Sequence, residues 1–407
     1  MKRTTFAVAL VVALAALIGS GVAAGSKMPG HHGPGKGHGH GKGKKHGKPG
    51  TPSVSIFATG FNNPRGLTFG PDRKLYVAEG GLGGTHSSAD DNCPQAHGDA
   101  APYFGSTNDP VNGGRISKVG KSGSPKVVVD ALPSSQTSPA LGSLVSGVSS
   151  VAFIGHKLYG LLAGAGCSHG VPTVPNGVFK VGKNGSWKVI ANLSAFQAAN
   201  PVAKPDEDDF EPDGTWYSMI AVGGALYPTD SNHQELDRVT KSGHITRLVD
   251  ISAQFPDWIG PTALAIQGRG HHGGKSWKHG THGIPPLYIG NLGPFGPEDG
   301  TVPNEGVWKV GKNGQLKQKA TGLEQVLGLA FRGGKLYALE MSTTPGGPTP
   351  GTGALVQVGP NGPVKTIASG LVFPTGLTVG PDGAFYVSEQ GFGFPAGQGR
   401  ILRITTH

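Results

Sequence analysis

Apolar positions along this chain come in short runs, each closed by Gly, Pro, Asp or Asn. "GLTF", "SVAF", "SMIAV", "TALAI", "GLAF" and "GLTV" begin six such stretches. Each leads into an apolar residue followed by Tyr: Leu75-Tyr76, Leu158-Tyr159, Leu226-Tyr227, Leu287-Tyr288, Leu336-Tyr337 and Phe385-Tyr386. A third run carries a basic residue and a tight turn ("RISKVGKSG", "GVFKVGKNG", "GVWKVGKNG"), and a fourth follows ("PKVVVDAL", "WKVIANL", "VKTIASGL"). Runs this short, bounded by turn residues, predict β-strands, and the recurrence predicts six units of four strands.

The sixth unit stops after its third strand, "RILRIT". Its fourth stands near the other end of the chain, where "VSIFATGF" (54–61) matches the fourth-strand pattern. That arrangement predicts a six-bladed all-β propeller in which the N-terminal strand completes the last blade and leaves no open edge. It also explains why "GLTFGPDRKLYVAEGG" (66–81) and "GLTVGPDGAFYVSEQG" (376–391) read alike, since a ring makes the first and last units neighbours. The turns between strands 1 and 2, and between 3 and 4, are minimal Gly, Asp and Asn types. The longer 2–3 and 4–1 connections leave on one face, where a site is expected.

The N-terminus changes the compartment. Lys2 and Arg3, an apolar run from Phe6 to Ile18 and then small residues make residues 1–24 a secretory signal peptide, too short for a span of roughly 20 residues. Residues 25–52 are Gly-, His- and Lys-rich and predict a disordered linker, with the propeller at 53–407. The chain's net charge is +10, yet residues 53–407 hold 27 basic and 25 acidic residues. The basicity therefore belongs to the tail, which points away from nucleic acid and towards a spacer, a binder of acidic cell-envelope polymer, or a loose metal binder. The expected localisation is secreted, with no transmembrane segment. In such a compartment the two cysteines, Cys93 and Cys167, are expected to form one disulfide.

"NNPRGLTFGPDRKLYVAEGGLGG", "ANLSAFQAANP" and "FPTGLTVGPDGAFYVSEQGFGFPAGQGRILRI" resemble the ScyD/ScyE family of exported, NHL-like propeller proteins associated with the scytonemin pathway. The resemblance covers nearly all of residues 53–407 and implies an exported propeller. It implies no reaction and no catalytic residues.

Three residues past each landmark Tyr stand Glu79, Leu162, Asp230, Asn291, Glu340 and Glu389. The five polar ones are candidate ligands for Ca²⁺, which takes 6–8 oxygens. They are equally suited to accepting hydrogen bonds from loop backbone. The first strands open on Arg65, Ser149, Tyr217, Thr262, Leu327 and Thr375. Arg65 and Tyr217 are the candidate ligand contacts at the channel mouth, with Arg65 either neutralising the carboxylate ring or binding an anion. "PDEDDFEPDG" (205–214) starts like an EF-hand but has Ile220 at position twelve, so it fails as one. "GCSHG" matches G-x-S-x-G, but a Gly/Pro loop follows instead of a helix, which excludes Ser168 as a nucleophile. "GRGHHG" (268–273) lacks the helix that phosphate binding needs.

Two function classes follow. The first is a non-enzymatic extracellular scaffold that binds a ligand, polymer or protein on the loop-rich face. The second is an enzyme of the metal-dependent lactonase or quinoprotein sugar-dehydrogenase type, with His86, His97 and His169 as loop candidates.

Overall fold

The computed structural model describes residues 52–92, 102–120, 123–137, 145–205, 211–267, 284–293, 305–344 and 348–406. The signal peptide, nearly all of the Gly/His/Lys-rich linker, Cys93, His97, Asp209 and the His-rich insertion after Arg269 fall outside them. Among the described residues there are six four-stranded antiparallel sheets and one three-stranded sheet. The first sheet holds Pro64–Phe69, Leu75–Glu79, Gly114–Val119 and Pro125–Leu132. The second holds Val148–Ile154, Lys157–Leu162, Gly177–Val181 and Trp187–Asn192. The third holds Trp216–Val222, Ala225–Asp230, Glu235–Val239 and Ile245–Asp250. The fourth holds Pro261–Ile266, Leu287–Asn291, Gly306–Val310 and Leu316–Thr321. The fifth holds Val326–Arg332, Lys335–Glu340, Gly353–Gly359 and Gly362–Leu371. The sixth holds Gly376–Val379, Phe385–Glu389 and Gly399–Thr405, and its outer strand is Ser53–Phe61 from the other end of the chain.

Each first strand packs against the first strands of the sheets before and after it, and the cycle closes between the sixth sheet and the first. This is a β-propeller arrangement around an axial cavity of about 500 Å³, lined by the first strands of all six sheets. The recurring "GL" of those strands has a packing cause. A Cβ at Gly376 would lie 2.5 Å from the Arg65 carbonyl oxygen, and one at Gly66 would lie 2.9 Å from that of Ser149. Neighbouring backbones approach too closely for a side chain.

The landmark tyrosines tie sheet to sheet. Tyr76 meets Phe153 edge-on at 4.9 Å, Tyr288 meets Phe331 at 5.0 Å, and Tyr386 meets Phe69 at 5.0 Å. Each pair joins one sheet to the next around the cycle and adds about 0.5–1.5 kcal/mol beyond its buried area. The duplicated "GPD" serves the same residues. Asp72 and Asp382 accept the hydroxyls of Tyr76 and Tyr386, each at 3.1 Å.

Two features escaped the strand pattern. Leu193–Ala199, inside "ANLSAFQAANP", is a short helix, capped by the Asn192 side chain accepting from Ala195 N. His86–Ser87, Phe104–Ser106 and Ser134–Gln136 form the three-stranded sheet over the loop-rich face of the first two sheets. Their strands are too short to show a period.

Candidate functional site: the channel mouth

The carboxylates at the second-strand ends act as latches. Glu79 accepts Asn62 N at 2.7 Å, Glu340 accepts Glu324 N at 2.8 Å, Glu389 accepts Val372 N at 2.6 Å, and Asp230 accepts Thr215 N at 3.1 Å. Each donor lies in the connection that enters the same sheet's first strand, so the latch fixes where that strand begins. Asn291 does the same with both ends of its amide, donating to Ile259 O and accepting Gly306 N, each at 3.0 Å. Leu162 cannot; in the second sheet Asn176 accepts Ala165 N at 2.8 Å and donates to Gly214 O at 3.0 Å, which ties the loop after the second strand to the approach of the third sheet.

The residue paired across the ladder decides each latch's charge. Arg115 stands opposite Glu79 and donates to it at 2.8 Å, and Arg400 does so for Glu389. Opposite Asp230 stands Glu235, itself bonded to Arg247, while His233 and Gln197 donate to Asp230. Burial alone would raise the Asp230 carboxyl, but His233, Gln197 and the Asn232 N–H hold it below the ordinary value. Opposite Glu340 stands Ala354, and no cation among the described residues answers it. Burial pushes Glu340 up to about 7. Beside it Glu305 is pushed up to about 9 by burial and then by hydrogen bonding to Glu324.

This spends the ring on hydrogen bonds within each sheet. Among the described residues no three His, Cys, Asp or Glu side chains converge to hold a metal ion. Glu79, Asp230, Asn291, Glu340 and Glu389 are thus not seen gathered around one point among the described residues. Nor does Arg65 neutralise the ring, because Arg115 and Arg400 already do so for Glu79 and Glu389.

Arg65 instead sits at the mouth with Tyr217. It is 8% exposed. Its guanidinium donates to Val145 O and lies 5.5 Å from the centre of the Phe392 ring. Tyr217 reaches from the third sheet to the sixth across the mouth, donating to Thr375 O at 3.2 Å. Burial raises the Tyr217 phenol above its ordinary value, against the pull of the Arg65 charge. Leu292, Leu327, Met341, Phe373, Phe392 and Phe394 gather with Tyr217 in one apolar cluster. The other polar positions of the ring are spent between strands. Thr262 donates to Val326 O and Thr375 to Pro64 O, each at 2.6 Å, and Ser149 to Leu161 O at 3.4 Å.

The remaining candidates lie elsewhere. Ser168 Oγ donates to Asp213 at 2.7 Å, and Glu211 accepts the Tyr103 hydroxyl at 2.6 Å, so the two described acids of the 205–214 loop serve as loop pins. His86 is half exposed and pairs with Asp91 at 3.1 Å. His169 is fully buried against Tyr103, its Nδ1 lies 2.9 Å from Ser135 Oγ, and burial lowers it to about 4. Among the described residues no cysteine is free, and Cys167 is disulfide-bonded. No described helix is long and apolar enough to cross a membrane.

Fold and site thus define an all-β propeller with a charged, aromatic mouth on its loop-rich face. No family model and no curated protein matches the chain. Solved structures do. A putative oxidoreductase (glucose dehydrogenase) from Thermus thermophilus is 14% identical, aligned over 87% of this chain and 100% of that one, with a TM-score of 0.49. A Bacteroides thetaiotaomicron protein of unknown function is 10% identical over 88% and 76%, with a TM-score of 0.51. The calcium-binding protein regucalcin from Agrobacterium tumefaciens is 12% identical over 86% and 93%, with a TM-score of 0.47. At these identities the likeness concerns the fold alone.

Proposed function

We propose that the chain is an exported six-bladed β-propeller that works as a binding scaffold, not as an enzyme, and takes its ligand on the loop-rich face at the channel mouth. One observation carries the reading. Arg65 is buried there with no carboxylate within ion-pair distance among the described residues, beside the Phe392 ring and the Tyr217 phenol. A buried cation without a counter-charge is costly, and a ligand that answers it removes that cost. The six residues opening the first strands include no carboxylate, imidazole or thiol, and the hydroxyls of Ser149, Tyr217, Thr262 and Thr375 are bonded to backbone carbonyls without a base beside them among the described residues. Glu79, Asp230, Glu340 and Glu389 each already accept a backbone N–H. The basic segment 25–52 is suited to holding the secreted protein near an acidic envelope polymer by counterion release.

Thermal shift with a panel of neutral and anionic aromatic compounds tests the reading. A ligand bound by the native state raises the melting temperature by mass action. Tyr217→Trp, which fills the mouth, should abolish that rise. Shifts that survive this variant place binding elsewhere, and an absorption band that saturates on adding Ca²⁺ and pyrroloquinoline quinone would favour the quinoprotein reading instead.

A further inference from the structure

We propose that the mouth is a carboxylate-binding cup, anchored by Arg65, whose ligands are flat aromatic acids. The inference rests on the mouth being a ligand site and adds what that ligand must be.

The other arginines of the loop-rich face set the comparison. Arg115 answers Glu79, Arg247 answers Glu235 and Arg400 answers Glu389. Arg65 has a carbonyl and the Tyr217 phenol as its polar neighbours, and no carboxylate among the described residues. A guanidinium presents five N–H groups in a planar fork that matches a carboxylate with two parallel bonds. One carbonyl and one phenol oxygen leave most of that fork unanswered. A ligand carboxylate supplies both the missing charge and the missing acceptors.

The walls select the rest of the molecule. Phe392 lies over the guanidinium at 5.5 Å, and Phe373 stands 6.3 Å from Phe392 and 6.0 Å from Phe394. Phe392 and Phe394, half-buried, form an apolar wall beside the charge, backed by the buried Phe373, Leu327 and Met341. A flat ring can stack there in the offset or edge-on arrangements that aromatic pairs favour. The Tyr217–Thr375 bridge crosses the mouth, and both residues also line the axial cavity of about 500 Å³. Arg65 sets the ligand's acid group inward.

Isothermal titration of residues 26–407 with 2-naphthoate, and separately with 2-naphthalenemethanol, tests this. The acid should bind once per chain, and Arg65→Gln should weaken it at least roughly tenfold, as expected for losing hydrogen bonds to a charged group. The alcohol should bind at least roughly tenfold more weakly than the acid and be indifferent to Arg65→Gln. Phe392→Ala should weaken the acid while leaving Arg65 in place, and it serves if Arg65→Gln does not fold. Acid and alcohol binding equally would overturn the carboxylate inference and leave the ligand-site reading standing. Acid binding that neither variant changes would overturn both, and so would no binding by either probe.

Discussion

The ring closure makes a quantitative prediction. Ser53–Phe61 runs antiparallel to Gly399–Thr405, with Ser53 opposite Thr405 and Phe61 opposite Gly399. Most of its side chains face water, and Val54 and Ile56 are 48% and 58% exposed. The strand is therefore held by its ladder and by few apolar anchors. Phe61 is fully buried among Leu67, Leu75, Val77, Val119 and Ile401, and Phe57 meets Tyr386 edge-on at 5.0 Å. Phe61→Ala should destabilise by about 3–5 kcal/mol, the usual range for deleting a buried phenyl ring. At roughly 2 °C per kcal/mol for a chain of this size, the melting temperature should fall by about 6–10 °C. Removing residues through Gly60 should do more, because it also bares the edge of Gly399–Thr405. Val54→Thr should stay within about 0.5 kcal/mol as an exposed control. Calorimetry on chains beginning at residues 26, 51 and 61 provides the assay. The first two should melt together and the third far lower. Equal melting of all three, or a silent Phe61→Ala, would refute the closure argument.

Three further outcomes are expected. Burial holds Glu305 and Glu340 above their ordinary value, up to about 9 and about 7, so their contribution is complete below the unfolded value and is lost as pH rises through the folded ones. Urea midpoints should therefore fall between pH 6 and pH 9, and Glu305→Gln should flatten the fall; an unchanged slope in that variant contradicts the assignment. Glu79→Gln should destabilise by about 3–5 kcal/mol, because it strands Arg115, while millimolar Ca²⁺ and chelator should leave the wild-type melting temperature unchanged. A Ca²⁺-dependent rise that Glu79→Gln abolishes would restore a cation to the ring. Thiol titration of unreduced, denatured protein should find no free cysteine, and reduction should cost up to about 4 kcal/mol if Cys93 and Cys167 close their loop; two free thiols would refute that pairing.

The repeat was legible in the sequence alone because its signals are local. Short apolar runs, Gly-Asp turns and the Leu-Tyr landmark recur at each unit, and the missing last strand could be matched to "VSIFATGF" without coordinates. The latch positions were legible for the same reason, since Glu79, Asp230, Asn291, Glu340 and Glu389 each sit three residues past their Tyr. What each latch holds was not legible. Arg115 serves Glu79 across one ladder, Asp230 draws on Gln197 from 33 residues upstream, and Glu305 meets Glu324 and Glu340 only where two sheets abut. The helix at Leu193–Ala199 and the three-stranded sheet were hidden by their brevity, because seven residues or fewer show too little of any period. The mouth was half legible. Arg65 and Tyr217 could be placed at first-strand starts, but Phe373, Phe392 and Phe394 look like ordinary loop residues in sequence. Only closing the ring brings residues 65, 217, 375 and 392 together, because contacts between distant segments depend on how sheets turn around an axis. Local pattern therefore determined the strands of the six four-stranded sheets, and the tertiary structure decided which charges are answered and left Arg65 without a carboxylate partner among the described residues.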